Sequence, residues 1–262
     1  MSTAKNQALL LRANKEAQVA ALNELGFTDV TYNTPLSEIA GYIHWCGGLW
    51  DIRLACVKTG DSPTIHYFTD EEWEAMSGNA RAQYEPIGAC IRAHKHQFIV
   101  AAKGCNNNGT LAWGLTNVDV GGAKNYWSGS TGLYDIPDSE GETSTKAIVE
   151  QAVANSTTAP AAQACWAYKG SENDPCQWYL PTIIQLRIIC AFRTQINTFL
   201  SKRFAGNYHS IGTNYHWAST EIASNQAWNV DFATGALFPN HYNKGNSFSF
   251  SVRAVCSANF SL

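Results

Sequence analysis

His209, His216 and His241 fall in the last quarter of the 262-residue chain, each set among Asn and Tyr: NYHS at 207–210, NYHW at 214–217 and NHYN at 240–243. An imidazole can serve as a base, a metal ligand or a contact residue, and its neighbours decide which. A base needs a nucleophile and an orienting group. The chain has no Gly-x-Ser-x-Gly, no His-Glu-x-x-His, no Gly-rich phosphate loop and no convincing Cys/His pairing. What surrounds these histidines instead is Asn, Ser and Tyr. Tyr and His offer flat contact area at low entropy cost, and Asn and Ser offer adaptable hydrogen bonding. That composition suits binding rather than bond-making.

Metal chemistry finds little support. His94 and His96 are two apart, but they fall at a polar turn between two runs of β-formers, which spoils a shared face. Asp119, Asp135, Asp138 and Glu140 are acidic without calcium-loop spacing. The eight cysteines at 46, 56, 90, 105, 165, 176, 190 and 256 form no Cys-x-x-Cys. They read as reduced and mostly buried, with a disulfide such as Cys165 to Cys176 left open. No metal and no cofactor are expected.

The elements that must hold the Asn/His/Tyr positions can be read from periodicity. WYLPTIIQLRIICAFRTQINTFLSKRFAG is the strongest helix, with Thr182 and Gln185 as a capping box, an apolar stripe from Ile183 to Leu200, and Gly206 as its stop. Strands follow at HWAST (216–220), AWNVDFATG and FSFSVRAVC. In the second, Trp228, Val230 and Phe232 alternate with Asn229 and Asp231. In the third, Phe248, Phe250, Val252, Ala254 and Cys256 alternate with Ser249, Ser251, Arg253 and Val255. Such alternation predicts half-buried antiparallel strands.

Upstream, LWDIRLACV and TIHYF read as strands, and TDEEWEAM as a short helix boxed by Thr69 and Glu72. PIGACIRAHKHQFIVAAKG reads as a hairpin. Residues 103–143 read as a long loop, followed by a helix at TSTKAIVEQAVAN burying Ile148, Val149, Ala152 and Val153. At the front, residues 3–25 read as a helix with Leu10, Ala13, Ala17 and Ala20 on one side. A second, short helix starts at Thr34–Pro35. The expected division is a helical module at 1–48, for attachment or oligomerisation, and a larger domain at 49–262 that holds the Asn/His/Tyr run at about 207–250.

Composition sets the outer limits. Hydrophobic residues at 45% and charged ones at 15% supply a core and leave little for disorder. A net charge of −3 without a Lys/Arg cluster argues against nucleic acid. No apolar run reaches membrane-spanning length, and the opening MSTAKNQALLLRANKEAQ lacks the pattern of a signal peptide.

In order, WYLPTIIQL, HWASTE, AWNVDFATG and SVRAV resemble the conserved blocks of a C-type-lectin-like family of bacterial and phage proteins, over Trp178 to Val255. His216 stands where Tyr is usual and Ala218 where Ser is usual. Within that family, the chain looks most like the variable proteins of diversity-generating retroelements. There, adenines of a template are scrambled, so Asn codons come to encode Asn, Tyr, His, Ser, Asp, Phe or Ala. The resemblance implies an α+β fold class: a C-type-lectin-like domain with two helices and short antiparallel sheets, preceded by a small N-terminal helical module. It implies a non-enzymatic receptor-binding protein whose variable surface comprises Asn214, Tyr215, His216, Asn225, Asn229, Asp231, Phe238, Asn240, His241, Tyr242, Asn243 and Asn246.

KEAQVAALNELGFTDVTYNTPLSEIAGYI, about thirty residues near the start, resembles short helical modules of phage tail and baseplate proteins. The implied setting is therefore a virion tail, or synthesis in the bacterial cytoplasm followed by display. The implied partners are a host cell-surface protein or glycan and other tail proteins, the implied assembly is a homotrimer, and no membrane insertion is expected. Two alternatives remain: a lectin-like surface protein binding glycan, whose usual Glu-Pro-Asn or Gln-Pro-Asp signatures are absent, and a formylglycine-generating-type oxidase. The resembling oxidases use a Cys pair, whereas Cys256 stands alone in its strand.

Overall fold

The computed structural model describes residues 15–17, 19–20, 31, 33, 51–60, 62–93, 95–123, 136–238, 243–245 and 248–258. Within them the chain is mixed α+β, built on two sheets. The first is antiparallel, with strand order β2-β1-β3-β4-β11-β6: β1 Asp51–Lys58, β2 Thr64–Phe68, β3 Tyr84–Ala93, β4 His96–Ala101, β6 Trp178–Tyr179 and β11 Val255–Ser257. The second has the order β5-β10-β7-β8-β9: β5 Thr110–Ala112, β7 Tyr215–Ala223, β8 Gln226–Asp231, β9 Leu237–Phe238 and β10 Ser249–Ser251. Its pairs are antiparallel except β10 with β7, which meet in parallel at Ser251 and His216.

Seven helical segments, rather than two helices, appear among the described elements: α1 Asp70–Ala75, α2 Gly78–Arg81, α3 Cys105–Asn108, α4 Ser139–Ala154, α5 Pro160–Trp166, α6 Ile183–Ala191 and α7 Arg193–Phe204. Both expected capping boxes form. Thr69 Oγ1 accepts from Glu72 N at 3.1 Å while Glu72 Oε2 accepts from Thr69 N at 2.8 Å. Thr182 and Gln185 reciprocate in the same way at 3.2 and 2.9 Å. Because the second box is buried, water cannot replace it. Thr182→Ala is expected to cost about 1–2 kcal/mol, read as a lowered urea midpoint at unchanged slope.

The long helix expected from Thr182 to Phe204 is two helices. It breaks at Phe192, which takes φ −97° and ψ 15° and serves as the C-cap of one helix and the N-cap of the next. The halves also differ in environment. All nine residues of α6 are buried, whereas α7 buries only Ile196, Phe199 and Leu200. A helix buried on every side, here with Gln185 and Arg187 among its apolar residues, belongs inside a core. Here α6 shares one hydrophobic cluster with Leu54, Ile91 and Phe98 of the first sheet and Ala218, Trp228 and Val230 of the second.

Three other expectations are corrected. Val153 is 70% exposed, and the buried stripe of α4 is Gly141, Ser144, Thr145, Ile148 and Ala152. FSFSVRAVC is not one strand: Ser249–Ser251 belongs to the second sheet and Val255–Ser257 to the first, with residues 252–254 crossing between them. Nor is it half-exposed, since Phe250 through Cys256 are all buried. The stretch read as loop includes α3, β5 and a buried anchor, Trp113, whose indole N–H donates to the Ala218 carbonyl at 2.8 Å. Gly114 beside it takes φ +91°, and a Cβ there would sit 2.4 Å from the Thr158 carbonyl oxygen.

Much of the N-terminal module lies outside the described residues. Residues 15–17 and 19–20 are helical, and Val19 is buried in the cluster that contains α6. Ala17 and Ala20, expected on the packed side, are exposed. The first and last described strands, β1 and β11, do share a sheet, with β3 and β4 between them.

Candidate functional site

The β7–β8 hairpin is the ruler for the Asn/His/Tyr positions. Its register pairs Tyr215 with Asp231, His216 with Val230 and Trp217 with Asn229. β10 lies on the other side of β7. Where the three strands meet, a depression of about 550 Å³ is lined by Thr110, Thr213, Asn214, Tyr215, Asp231 and Ser249, among others. Its floor is aromatic. Tyr215 lies 5.2 Å from Phe250, ring centroid to centroid, and Phe250 lies 4.4 Å from Trp217, whose indole N–H donates to the Leu111 carbonyl at 3.0 Å. Asn214 is exposed and Tyr215 half-buried at the rim.

Three expected contact residues are in fact interior. Asn229 is fully buried, His216 is 3% exposed and Asp231 is 9% exposed. Alternation correctly separates Asn229 from Trp228 and Val230, but it says nothing about whether the second face meets water. That face is covered too: Trp217, Ala227 and Phe250 join Trp113 in a second hydrophobic cluster.

His216 stacks on Phe232 at 4.0 Å, and its Nδ1 donates to the Asn214 carbonyl at 2.9 Å. A carbonyl can only accept, so Nδ1 carries the proton. Burial, with Arg253 and Arg193 adding to it, pushes the pKa of His216 down to about 3. The side chain is a neutral core group. Asp231 builds the turn after β8, accepting from Ala233 N at 2.9 Å and from Thr234 Oγ1 at 2.8 Å.

Asn225 and Asn243 come together, but elsewhere. Asn243 bridges Gln226, and Lys244 N donates to the Asn225 carbonyl at 3.0 Å. This is the turn end of the hairpin, eight residues along β7 from Tyr215, or about 26 Å at strand rise. The described positions therefore form two groups at opposite ends of β7–β8 rather than one patch. The backbone of Phe238 pairs with Asn229 in β9. Asn240, His241, Tyr242 and Asn246 lie outside the described residues.

The side chain that fixes this segment was not singled out in the sequence. Lys244 sits inside the polar run yet is fully buried, with its ammonium on the fully buried Glu221 carboxylate. Nζ also donates to the Val118 carbonyl at 3.0 Å and lies 4.6 Å from the Trp113 ring centroid. Glu221 Oε2 accepts from Val120 N at 3.1 Å. Burial pushes the Lys244 ammonium down. Asp119 pulls the other way, and the net effect is a pKa lowered to about 7, with Nζ resting on the Glu221 carboxylate. The one available signal was a lone Lys in an otherwise uncharged stretch following the Glu of HWASTE.

The four sequence blocks meet one another in space. Ser219 N donates to the Pro181 carbonyl at 2.8 Å, and Ile183 N donates to Thr220 Oγ1 at 3.0 Å. Arg253, 1% exposed, donates to the carbonyls of Ala102 at 3.0 Å and His209 at 2.9 Å. Cys256 is not alone, because its thiol meets that of Cys176; burial pushes Cys256 well above an ordinary thiol. His96, 2% exposed, is clasped through Nδ1 to Asp138 Oδ1 at 2.9 Å, tying the β3–β4 hairpin to α4. Among the described residues no group of three His, Cys, Asp or Glu could hold a metal ion, and no helix is long and apolar enough to cross a membrane.

No protein-family model, curated protein or solved structure matches this chain.

Proposed function

We propose that the chain is a non-enzymatic recognition protein. Its C-type-lectin-like frame presents diversified positions, and it is displayed on a phage tail for attachment to a host surface protein or glycan. One observation carries this reading: three of the Asn positions reach the surface above a packed interior. At the described positions, Asn214, Asn225 and Asn243 lie at or near the surface, over a buried frame made of the same blocks that carry the family resemblance. That frame is cross-braced largely through backbone groups, so surface identities can change without loosening it. The oxidase reading is weaker, because the thiol it would use, Cys256, is 1% exposed and pushed toward its protonated form.

The surface is smaller than twelve residues. His216, Asn229 and Asp231 move from contact residues to frame. The test is a saturation library over the twelve positions, displayed and sorted for protease resistance. Asn214, Asn225 and Asn243 should accept most residues within about 0.5 kcal/mol, whereas His216, Asn229 and Asp231 should accept few. Uniform tolerance or uniform intolerance would sink the reading. In attachment assays on host cells, Tyr242→Ala with His241→Ala should weaken binding by roughly 1–4 kcal/mol and leave the melting curve in place. The N-terminal module is assigned to tail attachment and trimer formation, which would multiply a weak contact. A particle that is monomeric at micromolar concentration, with and without residues 1–48, would refute that assignment.

A further inference from the structure

Four of the seven described cysteines meet in pairs that their spacing does not announce. Cys105 and Cys165, sixty positions apart, stand with their sulfurs at 3.8 Å. Both are buried, Cys165 completely and Cys105 to 4% exposure. Cys105 opens α3 directly beneath the exposed Asn106, Asn107 and Asn108. Those three residues take φ of 50°, 52° and 64°, a left-handed run that is costly without glycine. The loop is tied down at its far end, where Asn108 Nδ2 donates to the Ser210 carbonyl at 3.3 Å and Arg253 Nη2 reaches Asn108 Oδ1 at 3.4 Å. Cys165 sits in α5.

The two sulfurs are not equivalent. The hydrogen bond from Cys165 and the nearby positive charge of Arg253 hold Cys105 below an ordinary thiol, while burial pushes Cys165 well above. Cys105 is therefore the sulfur readier to act as a nucleophile.

We propose that Cys105 and Cys165 form a reversible redox-modification site, in which a hydroperoxide oxidises Cys105 and Cys165 closes a disulfide onto it. The Cys105 thiolate attacks the terminal peroxide oxygen and the O–O bond breaks. This leaves a sulfenic acid and an alkoxide or hydroxide, which takes a proton. Cys165, giving up its proton, attacks the Cys105 sulfur. The S–O bond breaks, and the departing hydroxide leaves as water. In sum, two thiols and one hydroperoxide give one disulfide, one alcohol (or water) and one water. The sulfurs lose two electrons and the peroxide gains them. A dithiol reverses the reaction by exchange. The bond would fasten the loop preceding β5 to α5. Thr110 at the start of β5 lines the 550 Å³ depression, so oxidation stiffens one of its walls.

The test uses the full-length folded protein. It is treated with hydrogen peroxide, then alkylated under denaturing conditions and mapped by mass spectrometry. Two of the eight thiols should disappear, joined as one Cys105–Cys165 linked peptide that a dithiol reverses. The melting temperature should rise by about 5–8 °C. In Cys165→Ala, a sulfenic-acid trap should mark Cys105. In Cys105→Ser, Cys165 should stay reduced. If either variant fails to fold by circular dichroism, time-resolved trapping in the unmodified chain, with peroxide below one equivalent, reads the same first step. Eight persisting thiols, trapping first at another cysteine, or a disulfide joining any other pair would overturn the proposal.

Discussion

Lys244→Met is expected to destabilise the protein by about 3–5 kcal/mol, the cost of leaving a buried charge without its partner. The substitution preserves length and apolar character, so lost packing is a minor part of the effect. What remains is Glu221, fully buried, with the Val120 amide as its other donor. Glu221→Gln in the same background should recover most of the loss, because a neutral amide keeps an acceptor for Val120 and needs no counter-ion. The pair itself adds little over a well-packed neutral alternative. What it supplies is position: Lys244 is the buried peg between the exposed Asn243 and the half-buried Gly245. Urea denaturation of the two single variants and the double variant measures the coupling. A double variant as unstable as the sum of the singles would refute this account.

Acid should weaken the fold through His216. Its folded pKa, about 3, lies below the ordinary histidine value of 6.5. Between those values the unfolded chain binds more protons than the folded one, so stability is lost as pH falls from 6.5 toward 3. At 1.36 kcal/mol per pH unit, the loss reaches about 3 kcal/mol by pH 4. His216→Phe retains the stack on Phe232 and removes the titration, at a cost of about 1 kcal/mol for the hydrogen bond to Asn214. Paired carboxylates such as Asp70, held low by Lys202 and Arg203, also lose their partners' benefit in acid. They do so equally in both proteins, so the difference between the two pH curves isolates His216. Parallel curves between pH 7 and 4 would sink the assignment.

Local chemistry was legible in the sequence wherever a short pattern has one physical meaning. The Thr69/Glu72 and Thr182/Gln185 boxes, the β3–β4 hairpin and the β7–β8 strands all follow from residue type and spacing alone. What could not be read was the environment on the far side of an element. Asn229 and Asp231 alternate correctly with Trp228 and Val230, yet nothing in the strand reveals that the Trp113 loop covers their face. The helix break at Phe192 is similarly non-local, since an unbroken apolar stripe fits one long helix as well as two. Lys244 and Glu221 are twenty-three positions apart, with no spacing rule to join them. For the candidate surface, composition marked the Asn/His/Tyr segments but could not separate the polar side chains that face water from those that serve as internal fittings.

The crossing at residues 252–254 also bears on reuse of this molecule. Three residues after β10 leaves the second sheet, the same backbone becomes β11 of the first. Between them, Arg253 plugs the carbonyls of Ala101 and Ala102 at the end of β4. The rim-bearing sheet is thus not a cassette. Transplanting β7 to β10 onto another scaffold would sever its last strand from the anchor that tensions it. A minimal portable unit must carry the first sheet along, much as a bowstring is useless without the bow.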